Sequence, residues 1–197
     1  MSKTIAKRKA GRPRSQASRA SILNAVWELL KTQTLKDLSI EALARESKVG
    51  EATIYRWWSS KESLARDALV EHVIPLTPFP ENLSAYEAIS MQMASLVNAF
   101  SGDYGSIVAQ LIAAGQSEPD VLESYRERFL DERRTAAKAI IEKGIEEGEF
   151  DPALDLELAV DILYGPIYFR LFVAHLPLDK QFAKGLPQRA LKALLKD

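Results

Sequence analysis

The chain is predicted to be all-α, with a small N-terminal helical head and a larger helical body. Three observations carry that expectation. Apolar residues recur at helical spacing along most of the 197 residues. Apolar-polar alternation long enough to mark a half-buried strand is missing, and there is no internal repeat. Pro75, Pro78 and Pro80 interrupt the helical pattern between two stretches of opposite charge.

Taken in order, residues 1–17 are basic, punctuated by Gly and Pro, and expected to form a flexible arm. They lack the apolar core of a secretory signal. Ser18 is the expected N-cap of a first helix carrying Ile22, Leu23, Val26, Leu29 and Leu30 on one stripe. Ser39 should cap a second, with Ile40, Leu43 and Ala44 inward. Val49 plugs the turn that follows, Ile54 and Trp58 return to the core, and Ser60 opens a helix through Leu64, Ala65, Ala68 and Leu69. The prolines then place a joint near 74–80, dividing a head at 18–73 from a body at 81–197. Spacing and stop signals predict body helices near 83–101, 103–116, 118–147, 153–175 and 179–196.

The net charge of −1 conceals an asymmetry. Residues 1–70 carry 14 Lys/Arg against 7 Asp/Glu, a balance of +7; residues 71–197 carry 12 against 20, a balance of −8. A basic head on an acidic body directs a polyanion to the head, although a solvated basic tail would give the same count. Cysteine is absent, which excludes a disulfide framework or thiol nucleophile and fits a reducing cytoplasm. The most apolar stretch, 156–176, contains Asp161, Arg170 and Gly165-Pro166 and lacks positively charged flanks. It is expected to be a helix buried on two sides rather than a membrane span.

The chemistry of the head lies in Thr53-Ile54-Tyr55-Arg56-Trp57, which sets hydroxyl, phenol, guanidinium and indole groups on one short helix. A helix of this kind held out by an apolar scaffold suits the DNA major groove. Trp58 is the expected anchor beneath it. Trp57 points about 100° away, so it packs on another helix or lies at the DNA surface. Arg56 has the fork that grips guanine or phosphate, and Thr53 can meet phosphate or a thymine methyl. In the arm, Arg12-Pro13-Arg14 could lie along a narrow minor groove or act as a nonspecific tether, the tether being favoured.

Residues 39–64 resemble the helix-turn-helix of the tetracycline-repressor-like (TetR/AcrR) family of regulators. The matching positions are Ser39 to Ala44, Ser47-Lys48-Val49-Gly50, Thr53-Ile54-Tyr55 and Ser60-Lys61-Glu62. The resemblance implies phosphate contacts from Tyr55, Lys61 and the amino end of the helix at Ser39, which the helix dipole independently favours. Departures from the family pattern are Lys48 at the turn glycine, Gly50 at the capping serine, Thr34 at the glycine after helix one, and Glu51 at a commonly basic position. The stretch from Asp155 to Leu178 is similar to the penultimate helix of one branch of the family.

The family likeness implies a homodimeric transcription factor, a repressor, that binds a palindromic operator and is released by a small, largely apolar molecule. Dimerisation is expected through the helices near 156–175 and 179–196, with Gly165-Pro166 kinking the first and Pro187 shortening the second. The segments 103–116 and Ser60 to Val73 are the expected couplers between body and head. Met91, Leu96, Phe100, Tyr104, Leu111, Tyr125, Phe129, Tyr164 and Tyr168 either fill the core or line an apolar cavity with phenolic anchors.

Enzyme readings find little support. His72 and His175 are far apart in sequence and lack metal-ligand spacing, and there is no glycine-rich phosphate loop. Glu157 and Asp161 read as a solvated acidic face rather than an acid-base or metal pair. No cofactor, metal or catalytic constellation is expected. The rival reading is a helical ligand-binding or interaction protein whose head binds DNA only nonspecifically.

Overall fold

Helix α1 (Gln16–Leu30) begins earlier than expected because Ser15, not Ser18, is its cap: the Ser15 side chain accepts from the Ser18 amide at 3.4 Å. The computed structural model describes residues 15–196, so Arg12, Arg14 and nearly all of the predicted arm lie outside the described residues. Every described element of regular structure is helical.

Helix α2 (Ile40–Ser47) starts at Ser39, whose hydroxyl accepts from the Ala42 amide at 3.2 Å. Helix α3 (Glu51–Trp57) follows after a turn in which Lys48 is left-handed, with φ 56°. Helix α4 (Lys61–Val73) is opened by reciprocal hydrogen bonds between Ser60 and Ser63. Its end tightens into a 3-10 turn, Ile74–Leu76, at Pro75.

The body comprises α5 (Ala85–Phe100), α6 (Asp103–Gly115), α7 (Pro119–Tyr125), α8 (Asp131–Glu146), α9 (Leu156–Val173) and α10 (Lys180–Ala190). The expected single helix over 118–147 is α7 and α8 joined by a π-helical turn, Arg126–Leu130. In a straight α-helix residues i, i+4 and i+8 drift by about 40° at each step. The wider π turn takes back part of that drift, which keeps Tyr125, Phe129 and Arg133 on the inner side.

Helix α9 continues through Pro166 to Val173, and α10 runs past the buried Pro187 to Ala190 before tightening into a 3-10 turn, Leu191–Leu194. Among the described residues no helix is long and apolar enough to cross a membrane. The reason lies in α9 itself: Ala159, Val160, Leu163 and Ile167 face the core, and charged residues interrupt the rest.

One apolar cluster runs from Ile22 to Leu194, so head and body share a core. Trp27 of α1 stacks on Tyr104 of α6, ring centroids 4.1 Å apart. The Leu35 amide donates to the Gln110 side chain at 2.6 Å, and Arg66 bonds to Ser124.

Glu149 anchors the body's first helix by accepting from the Ala85 and Tyr86 amides at 2.9 and 3.0 Å. Burial disfavours its charge, but those amides, Ser84 and Lys143 outweigh that and hold its carboxyl below the usual glutamate range. Its stabilisation is therefore present above the pH at which an unfolded glutamate titrates and lost as pH falls through the lower folded value. Glu149→Gln should lower stability by about 1 kcal/mol or less at neutral pH. The gap between the urea midpoints of mutant and parent should shrink as pH is lowered from 7 toward 3.

Candidate functional site

Helix α3, the candidate DNA-reading helix, is presented from below. Ile54 is fully buried, and Trp58, at the end of α3, is sealed under it with its indole N–H donating to Asp67 Oδ2 at 2.9 Å. Asp67 is in turn held by Arg66 at 2.6 Å and approached by Arg19 at 3.9 Å. The anchoring indole is therefore fixed in orientation as well as depth, which a lone apolar anchor would not be.

Above that base, Tyr55 is 57% exposed and Arg56 is exposed, while Thr53 is half-buried. Trp57 is half-buried against the core, its ring 5.8 Å from that of Trp58. Lys61 Nζ donates to the Lys36 carbonyl at 2.6 Å, bracing the start of α4 against the segment that leads into Ser39. Thr34, at the glycine position of the family pattern, donates to Asp37 at 2.6 Å within that segment.

The body holds a partly open cavity of about 290 Å³ bounded by α5, α6, α7, the π turn, α8 and α9. Of the residues proposed for it from sequence, Leu96, Tyr125, Tyr164 and Tyr168 line it. The other five are placed elsewhere. Met91 is 53% exposed on the outer face of α5, where Met93 takes the core position. Leu111 and Phe129 are fully buried packing residues, and Phe100, itself buried, makes a T-shaped contact with Tyr168. Tyr104 is committed to the head-body seam by its stack on Trp27. Bulk and helical spacing alone do not separate a wall from the layer behind it.

Sequence reasoning missed the cavity's polar furniture. Gln92 is buried, accepts from the Tyr164 hydroxyl at 2.7 Å and donates to the Thr77 carbonyl at 3.5 Å. Arg133 donates to the same carbonyl at 2.9 Å and lies over the Phe129 ring. The Tyr125 and Tyr168 hydroxyls are 3.4 Å apart. Burial pushes the pKa of all three lining tyrosines up, so each stays a protonated phenol. Glu157 and Asp161, expected as a solvated face, are bridged by Arg134, with Lys138 also on Glu157. The Lys138 and Arg134 hydrogen bonds hold the Glu157 carboxyl down at about 2.

Comparison with known proteins agrees with this arrangement. Residues 22–68 match the family described as bacterial regulatory proteins, tetR family, and residues 80–190 match the tetracyclin repressor-like C-terminal domain. The transcriptional regulator YdeS of Bacillus subtilis is 33% identical over 186 residues, 94% of each chain. The TetR family transcription regulator SCO0332 has a crystal structure that superposes with a TM-score of 0.78 at 31% identity, covering 92% of this chain and all of that one. FadR from Bacillus subtilis, solved with stearoyl-CoA, shares the fold at a TM-score of 0.73 and 17% identity, over 89% of this chain and 98% of its own.

The left-handed Lys48 generates a direct test. A side chain there costs on the order of 1–2 kcal/mol, partly offset by the extra freedom glycine has when unfolded. Lys48→Gly should raise stability by about 0.5–1 kcal/mol, seen as a melting temperature higher by roughly 1–4 °C. Lys48→Ala, which keeps a Cβ, should not raise it.

Proposed function

Because this chain belongs to the TetR family of transcriptional regulators, we propose that it is a homodimeric repressor released from a palindromic operator by a small, largely apolar effector. The observation that carries this reading is the position of α4. It packs on α1 in the head and on α6, α7 and the π turn in the body, and those body elements supply cavity walls. An occupant of the cavity therefore acts on the helix that supports the recognition unit. It can shift the heads by no more than its differential affinity for the two dimer states.

In this reading the arm and the head through Val73 engage DNA, and the body from residue 81 onward holds the effector and the dimer contact. Tyr55, Lys61 and the amino end of α2 at Ser39 contact phosphates, with Thr53 touching phosphate or a thymine methyl. Lys61 uses one ammonium proton on Lys36, which leaves two for a phosphate. Arg56 reads a base edge, Trp57 supports rather than reads, and Arg12 and Arg14 add affinity along the DNA backbone.

Leu158, Ile162, Phe169, Phe172, Val173 and Leu176 form an exposed apolar stripe along and just past α9. Gly165 lies within the stripe, and a Cβ there would meet nothing within 4 Å, so a second helix can approach closely. A face this apolar and uncovered supports pairing of α9 with its symmetry mate. The exposed positions of α10 are polar (Gln181, Lys184, Gln188, Arg189), so in this reading α10 lies at the edge of that contact.

Selection of binding sites from random DNA at near-physiological salt should recover a two-fold symmetric sequence. Recovery of A·T-rich sequence alone, with binding lost as salt rises, would reduce the head to a nonspecific anchor. Against the selected site, Tyr55→Phe and Lys61→Ala should weaken binding by a similar factor on all sequences. Arg56→Ala should instead lose about 1–3 kcal/mol of discrimination at one position. For the dimer, Phe169→Asp should sediment as a monomer with unchanged helical circular dichroism.

A further inference from the structure

The cavity is mostly apolar, yet the charges that reach it are unbalanced. Three guanidinium groups line it, from Arg126, Arg133 and Arg134, against the carboxylate of Asp161. Arg134 is neutralised by Asp161 at 2.6 Å and by Glu157, and Arg126 is exposed to solvent. Arg133 is different. It is half-buried among aromatic rings, donates to the Thr77 carbonyl and sits over Phe129 with its centre 5.6 Å from the ring. Among the described residues no Asp or Glu oxygen forms an ion pair with it. Burial pushes its pKa down, but a guanidinium remains charged at neutral pH.

A cation in such surroundings, with the field of Glu132 nearby but no ion-paired carboxylate, is costly, and a matching anion relieves the cost. The neighbouring groups suit an anion as well. The Tyr168 phenol is protonated and can donate, Tyr164 spending its own proton on Gln92, whereas an ammonium ligand would face the unpaired charge of Arg133. We propose that the effector is a carboxylic acid with a compact apolar body, its carboxylate seated on Arg133 and its body against Leu96, Ile112, Leu122 and Val160. This rests on reading the cavity as the effector site. A carboxylate meets a guanidinium fork through two parallel hydrogen bonds, a geometry a neutral amide cannot copy. The volume, about 290 Å³, lies at the small end of the roughly 300–1,000 Å³ range of ligand pockets, which suits acids of about ten to fifteen non-hydrogen atoms.

The same arginine supplies the way out of the cavity. Thr77 follows the 3-10 turn that ends α4, and its carbonyl is held by Arg133 and Gln92 together. A carboxylate that draws the guanidinium toward itself weakens that hold on the joint between head and body.

The test uses the full-length chain and calorimetric titration at neutral pH with octanoate, decanoate and p-butylbenzoate, each beside its primary amide. At least one acid should bind more than tenfold tighter than its amide. Arg133→Gln should erase that ratio while leaving amide affinity unchanged, and Arg133→Lys should restore part of it. Equal binding of acid and amide by the parent protein, retention of the ratio in Arg133→Gln, or no binding by any acid would each overturn the proposal. The comparison within the parent protein holds even if a variant folds poorly. Binding of the selected symmetric DNA site is measured in the same samples. A chain that binds that site but prefers neutral ligands loses the acid assignment and keeps the regulator reading; one that binds acids but no symmetric site does the reverse.

Discussion

Helix α4 must satisfy two cores at once, and that constraint organises the molecule. Leu64, Ala65, Ala68, Leu69 and Val73 are all essentially inaccessible, packed between α1 on one side and α6 and α7 on the other. Close-packed interiors shift between discrete arrangements and do not deform smoothly. Displacement of α4 therefore carries Asp67, and with it the Trp58 indole and the end of α3, as a unit. The position of the recognition helix and the packing of the body become one variable.

The far end of α4 concentrates polar bonds where the apolar contacts stop. Thr77 is buried; its hydroxyl donates to the Val73 carbonyl at 3.1 Å, and its own carbonyl receives Arg133 and Gln92. Buried polar groups require such partners, and here the partners come from α4, α5 and α8. Gln92 also receives Tyr164 of α9, so four helices meet through Gln92 and Thr77 beside the cavity. A charge-assisted bond of this kind is worth roughly 1.5–3 kcal/mol, comparable to the coupling energies that connect distant sites.

The head was legible because its determinants are local. Ser39 and Ser60 act as caps where they stand, Lys48 takes the left-handed turn its position required, and Trp58 is the anchor that its spacing from Ile54 implied. The start of α1 was misplaced because Ser15 and Ser18 are both plausible caps and local chemistry does not choose between them. In the body the helices were readable but their faces were less so. Leu111, Phe129, Leu96 and Tyr125 share the same composition and periodicity; two are solid core and two are wall.

What the sequence determined by itself was the set of helices, the helix-turn-helix and its family, since these follow from periodicity, caps and turn residues within a few positions of one another. What the tertiary structure decided was the cavity and its charge. Arg133 and Gln92 stand in helices as polar residues that would ordinarily face water, and a π turn in one helix and the packing of others turn them inward. A side chain's local pattern states which face of its helix it occupies. Which faces meet, and whether they close completely, depends on contacts across dozens of residues that no local window contains.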